Sequence, residues 1–342
     1  MAVKRVTMQD IADACSLSRN TVSKIFNNRG AVPEATRRLV LQKAQELGYG
    51  HVPEETAAAP DHAGGNIALL TDKKLLSHHF GARFITSFTD AICRSGFMMQ
   101  MYEISSEEIA AKKLPPHLEL DDTAAIQCIE LFDKDYQDMV VSLGIPCVFV
   151  DGYANAARAI MNCDFVTMEN FASVIALTGR MISAGAKRLG FVGDIKHCNS
   201  FSMRWTGFER AMEAAGLPID RALCILAPDG PEYGDTEWLL RKLEAMPTIP
   251  DGFVCANDYL AINLMNALKR LGLRIPKDVM VTGFDGSPEA AVVEPPLTTA
   301  QINSVEIGRV AAELLLDRLR HPEKPFRRVV EITDPVWGGT TR

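Results

Sequence analysis

The sequence lacks the marks of several large classes of protein. No apolar run approaches the ~18–20 residues of a membrane-spanning helix. Met1 to Asp10 is polar and holds no apolar signal segment, so export is not expected. The eight cysteines (Cys15, Cys93, Cys128, Cys147, Cys163, Cys198, Cys224 and Cys255) are scattered, without a CxxC pair or metal-ligand spacing. Such usage suits buried thiols in a reducing cytoplasm, with no structural metal. The G-x-G-x-x-G fingerprint of nucleotide-binding α/β enzymes, the phosphate-cradling G-x-x-x-x-G-K-[ST] loop and the G-x-S-x-G elbow are all missing. Neither a cofactor nor an enzymatic activity is therefore expected.

What is present is a chain of 342 residues, 47% of them apolar, long enough for two or three domains with a sizeable core. Its charge is uneven. Residues 1–53 hold eight basic and four acidic side chains, a net +4, whereas the whole chain is −7 and the remainder therefore −11. A basic head on an acidic body points to a polyanion met by the head alone. Residues 54–65 contain three acids, no base and no large apolar side chain, and read as a linker. Beyond it, β-rich runs such as Ile67–Leu70, Ala124–Glu130, Phe165–Thr167, Leu189–Val192, Leu223–Leu226, Gly252–Ala256, Met280–Gly283 and Val329–Ile332 alternate with helical stretches. That alternation predicts parallel sheets covered on both faces, and ten strand candidates suit two α/β lobes better than one open sheet.

The head reads as a helix-turn-helix. Thr7 can cap a helix in which Ile11, Ala12 and Cys15 share one face, and Ser18 can cap a second, Arg19–Phe26. Val22, Ile25 and Phe26 then face inward, leaving Arg19, Asn20, Ser23 and Lys24 outside. A third helix starts by Pro33 and is closed by Gly48. A helix of this kind fits the major groove, where Arg pairs with a guanine edge and Asn with an adenine edge. Thr7, Thr21, Ser23 and Asn27 are suited to phosphates. The plain alternative is a three-helix bundle with a solvated polar face.

The string Val6-Thr-Met-Gln-Asp-Ile-Ala-Asp-Ala-Cys-Ser-Leu-Ser-Arg-Asn-Thr-Val-Ser-Lys-Ile-Phe-Asn27 resembles the DNA-binding head of the lactose-repressor (LacI) family. Val32–Arg37 and Leu47-Gly-Tyr49 match it too. The resemblance implies base reading by Arg19, Asn20 and Lys24. In the body, Ser200–Phe208 is similar to that family's Ser-x-x-x-Arg-x-x-Gly-Phe segment, and Cys255–Ala261 to its Ala-Asn-Asp-x-x-Ala segment. Leu271–Asp285 and Pro295–Thr299 continue the likeness, which covers nearly the whole chain apart from the linker. It implies an α/β fold: an all-α head, then a periplasmic-binding-protein-like body of two doubly wound parallel-sheet lobes joined by three crossings. The expected divisions are a head 1–53, a linker 54–65 and a body 66–342, with a near lobe of about 66–160 and 300–325 and a far lobe of about 161–299 and 326–342.

Ligands of open α/β sheets sit outside the carboxyl ends of strands. Asp285, Asn257 and Asp151 each close a strand there, and all three can bond sugar hydroxyls. Arg204 adds a planar guanidinium for vicinal hydroxyls or a carboxylate. The resemblance assigns effector binding to the Arg, Asn and Asp. The structural alternative is that Asp285 caps a turn and Arg204 makes an ion pair. After the first strand lie Asp72, His78, His79 and Phe80, and the family's aromatic at this place selects Phe80. Two histidines without a third clustered ligand do not make a metal site. Tyr233 lies in a loop that brings an aromatic to the cleft in the family, and Trp205 is expected behind Arg204.

One departure concerns the linker. After its tyrosine the family continues Pro-Asn, then Ala-Arg and a Leu that wedges into the minor groove. Here Tyr49 is followed by Gly50-His-Val-Pro53 and acidic residues. Acids avoid phosphates and no apolar wedge remains, so less DNA bending is expected. The expectation is a cytoplasmic homodimeric repressor that binds a near-palindromic operator and senses a carbohydrate. The alternatives are the same architecture controlled by a partner protein and, more remotely, a solute-binding protein.

Overall fold

The first helix begins where a hydroxyl meets a carboxylate three residues on. Thr7 precedes α1 (Met8–Ala14); Asp10 N donates to Thr7 Oγ1 and Thr7 N to Asp10 Oδ2 at 2.7 Å, which closes a capping box. A turn at Ser16, with φ at +54°, leads into α2 (Arg19–Phe26), where Thr21 N donates to Ser18 Oγ at 3.1 Å. Helix α3 (Glu34–Glu46) completes the trio. Ile11, Ala12, Val22, Ile25, Val40 and Ala44 form its core; the first four stand where the apolar pattern predicts, with Cys15 partly buried against them, and the side chain of Phe26 lies outside the described residues. The computed structural model describes residues 6–26, 34–47, 49, 65–72, 79–156 and 162–342. Pro33 and Gly48, the expected ends of the third helix, lie outside the described residues, as does the linker up to residue 64.

The chain divides into two units, Met1–Asp61 and His62–Arg342. The larger runs β1 (Asn66–Asp72), α4 (His79–Arg94), β2 (Met98–Ile104), α5 (Ser106–Ala111), β3 (Thr123–Ile129), α6 (Lys134–Ser142), β4 (Cys147–Val150) and β5 (Asp164–Met168). It continues with α7 (Ala172–Ser183), β6 (Leu189–Val192), α8 (Asn199–Ala214), α9 (Thr236–Glu244), β7 (Gly252–Cys255), α10 (Asp258–Arg270), β8 (Met280–Thr282) and α11 (Pro288–Val292). The last elements are β9 (Thr299–Gln301), α12 (Ser304–Arg320), β10 (Arg328–Glu331) and β11 (Asp334–Val336).

Two parallel sheets result, ordered β10-β5-β4-β3-β1-β2 and β6-β7-β8, with β9 and β11 as an antiparallel pair. Strand β1 shows why both faces must be covered. Ile67 and Leu69 point into one apolar cluster, and Ala68 and Leu70 into another. On one face α12 packs along α4 and against β3, β4 and β5.

The chain passes between the sheets three times, at residues 168–172, 301–304 and 331–334. The first and third crossings are bonded to each other. Thr333 Oγ1 lies 2.8 Å from Ser173 Oγ, and Glu169 N donates to Glu331 O at 2.7 Å. The expected lobe boundaries at 161 and 326 need correction. Strands β5 and β10, assigned beforehand to the far lobe, pair with each other and join the near sheet through β4. The run Leu223–Leu226 is also not a strand: Leu223 ends the helical turn Arg221–Leu223, and Ile225 makes one bridge to Val192.

Candidate functional site

In the larger unit, a cavity of about 710 Å³ is lined by residues that follow the carboxyl ends of strands in both sheets. Asp72 ends β1, Asp151 follows β4, Asn257 follows β7 and Asp285 follows β8, and all four line it together with Phe80 and Arg204.

Arg204 lies in the second turn of α8 and is only 3% exposed. Burying a guanidinium is costly unless its donors are matched. Here Nε donates to Asn170 Oδ1 at 2.9 Å, and Nη1 donates to Ala256 O at 2.5 Å and to Asp285 Oδ1 at 3.4 Å. Its Cζ also sits 3.7 Å from the Phe284 ring centroid, a cation–π contact. Trp205, the next residue, packs edge-on to Phe191. Asp285 differs from its partner: its side chain is 30% exposed against 4% for Arg204, so the carboxylate can be reached from the cavity. Burial pushes its carboxyl up, and Arg204 pulls it partly back. The ion pair foreseen as an alternative to binding therefore exists, and it sits in the cavity wall.

Asn257 has a second duty. It is the N-cap of α10, and its Oδ1 accepts from Leu260 N at 2.9 Å, leaving Nδ2 for other partners. Asp151, at a φ of +58°, accepts from Ser200 N at 3.4 Å, while burial raises its carboxyl. Phe80 lines the cavity and stacks on Phe84. Tyr233 requires correction. It is 1% exposed, its hydroxyl is 2.9 Å from Ala227 O, and its ring packs on Trp238, inside the far lobe and away from the cavity. The helical turn Pro231–Gly234 directs it inward.

Residues not singled out beforehand complete the wall. His197 stands between Phe132 and Phe201, with ring centroids 4.9 and 5.3 Å away. Tyr259 is 47% exposed there. Asp258 is buried, and burial together with the charge of Asp285 pushes its carboxyl up to about 7. Asp258 lies inside the quoted Cys255–Ala261 segment, so a signal for it existed. Phe132 belongs to no pattern that periodicity or spacing could single out.

In the smaller unit, Arg19 is exposed at the first position of α2. Asn20 and Lys24 fall on the same helix, but their side chains, like all of Asn27, lie outside the described residues. Thr7 spends its hydroxyl proton on Asp10 Oδ2 at 2.6 Å, so a phosphate would have to displace that bond. Thr21 Oγ1 shares one hydrogen bond with Ser18 Oγ, which leaves a hydroxyl proton between them for a phosphate. Ser23 is half-buried on α2.

Comparison with known proteins matches both units. Residues 7–51 match the family described as bacterial regulatory proteins, lacI family, and residues 178–341 match the periplasmic binding protein-like domain. The chain is 26% identical to the HTH-type transcriptional repressor PurR of Haemophilus influenzae over 338 residues, 95% of each protein. It is 26% identical to the HTH-type transcriptional regulator CelR of Thermobifida fusca over 340 residues, 96% of each. Among solved structures, that of a transcriptional regulator CelR–cellobiose complex superposes with a TM-score of 0.72 at 23% identity, covering 98% of this chain and all of the other. From the helix-turn-helix head to the three-crossing body, this chain belongs to the LacI family of DNA-binding transcriptional regulators.

Proposed function

We propose that this chain is a homodimeric repressor in the cytoplasm, whose hold on a near-palindromic operator is set by a sugar or sugar derivative bound in the cavity. The observation that carries this reading is the buried Arg204 beside the half-exposed Asp285, with Asn257 and Asp151 on the same wall. A fixed guanidinium donates to ring hydroxyls, and a reachable carboxylate accepts from them. Phe80, Phe132 and Phe201 supply apolar faces for a sugar ring. A cavity of about 710 Å³ accommodates one or two such rings. The cellobiose complex of CelR supports the sugar class. In the head, Arg19, Asn20 and Lys24 read bases, while Thr7, Thr21, Ser23 and Asn27 meet phosphates. Two heads related by a two-fold axis then meet a two-fold operator.

Thermal unfolding against neutral sugars, sugar acids, sugar phosphates and nucleosides tests the reading. A ligand at ~100 times its dissociation constant adds about 2.7 kcal/mol to the stability of the unit it binds. The expected result is a hit that shifts the chain and changes its affinity for operator DNA, with both effects lost in Arg204→Ala. A hit that persists in Arg204→Ala refutes this pocket. An absence of hits favours control by a partner protein.

A further inference from the structure

Asp258 is the first residue of α10 and is 1% exposed. Both its carboxylate oxygens are engaged within the fold: Oδ1 accepts from Thr299 Oγ1 at 2.5 Å and Oδ2 from Ser287 N at 2.7 Å. Its own N–H donates to Phe284 O at 2.7 Å. Phe284 and Ser287 flank Asp285 in the loop after β8. The far side of that loop is held by β9 and the residue after it: Asp285 N donates to Ala300 O at 2.9 Å, and Ile302 N to Asp285 O at 3.1 Å. Between these anchors Asp285 adopts a φ of +116°, a conformation that non-glycine residues rarely enter and that persists only when the surroundings over-determine it. The contact is close. A Cβ at Gly283 would lie 2.2 Å from Asp258 Oδ1, so only glycine lets the loop pass against that carboxylate.

We infer that Asp258 is a positioning residue for the binding site: it clamps the 283–287 loop so that the Asp285 carboxylate stays beside Arg204, and it acts on the effector through Asp285. This rests on the reading of Arg204 and Asp285 as effector ligands. The groups facing Asp258 are Asp285 in the loop, Arg204 on α8 and the Cys255 thiol at the end of β7, while Glu289 on α11 lines the same cavity. Burial and the like charge of Asp285 favour the protonated form of Asp258. A carboxyl whose folded pKa is raised stabilises the fold most when protonated, and that advantage is lost as pH rises through the folded value.

The test uses the full chain with Asp258→Asn and Asp258→Ala. An asparagine can still accept from Ser287 N and can donate to Thr299 Oγ1, so it keeps the clamp without the charge. An alanine removes both. Glucose, ribose and cellobiose are titrated at about pH 5.5 and about pH 7.5, on either side of the titration of Asp258. Expected is a loss of roughly tenfold or more in sugar affinity for Asp258→Ala, while Asp258→Asn stays within about threefold and shows a weaker pH dependence, that of Asp285 alone. Wild-type affinity in Asp258→Ala, or an equal loss in both variants, overturns the inference. If none of the three sugars shifts the wild-type chain, the choice of effector class fails and the clamp is judged without it. The wild-type melting temperature must then rise relative to Asp258→Asn as pH falls from about 7.5 to about 5.5. The Asp285 and Ser287 amides must also exchange faster in Asp258→Ala but not in Asp258→Asn. Parallel melting curves or unchanged exchange overturn the clamp itself.

Discussion

At the residue scale, the side chains with the clearest assignments are those with few alternative duties. Arg19 stands exposed on α2, and a guanidinium so placed can donate two bonds to a guanine edge, the role proposed for it. Arg19→Ala is expected to cost about 1–3 kcal/mol of operator affinity and to relax preference at one base pair. Binding to a set of single-base operator variants measures this, and a uniform loss across the set would reassign Arg19 to a phosphate. Arg204 contrasts with it. That side chain was legible in the sequence from the segment Ser200–Phe208, but its neighbours were not. Asn170 and Ala256 O reach it from elements far along the chain, and only packing brings them within 2.9 and 2.5 Å. Tyr233 shows the opposite outcome. An aromatic in a loop looks available, yet this one is folded inward because its hydroxyl finds carbonyl partners inside the lobe.

At the scale of elements, caps are the most local feature and the most readable one. Thr7 and Ser18 start their helices where the hydroxyl spacing places them, since the orphan N–H groups of a first turn need acceptors within a few residues. Replacing Ser18 by Ala is expected to destabilise α2 by about 1 kcal/mol, seen as roughly fivefold faster exchange of the Val22 and Ile25 amides. Exchange unchanged by that substitution would mean that the three-helix core, and not the cap, holds α2 in place. Strand positions were nearly as legible, because a parallel strand covered on both faces is a short apolar run bounded by turns. The run Leu223–Leu226 met that description and still failed, as its backbone follows a helical turn and offers β6 a single bridge.

At the scale of the whole molecule, the larger unit is stitched by contacts between distant parts of the chain. Arg318 on α12 and Asp164 on β5 form a bidentate pair with distances of 2.8 and 3.2 Å, at 4% and 0% exposure. Arg327 N adds a donor to Asp164 Oδ1 at 2.7 Å. The pair ties the last long helix to the strand beside the first crossing. Arg318→Ala leaves a buried carboxylate without its cation and is expected to cost about 3–5 kcal/mol, read from the denaturant midpoint. The double replacement Arg318→Met with Asp164→Leu should recover much of that loss, since no charge is then left buried alone.

The sequence by itself determined what depends on neighbours a few residues away: the helix-turn-helix with its caps, the alternation of strands and helices, and the placement of Asp151, Asn257 and Asp285 just beyond strand ends. Periodicity and capping chemistry act over one or two turns, so they can be read along the chain. The tertiary structure alone decided which sheet β5 and β10 join, that Tyr233 is core and that Asp258 stands under the cavity loop. Sheet membership is settled by hydrogen bonding between Arg328–Glu331 and Phe165–Met168, far apart in the sequence. The left-handed turn at Asp285 is held by Asp258 on one side and β9 on the other. No local pattern encodes such a clamp, because each of its bonds joins residues whose proximity exists only after the far lobe has folded.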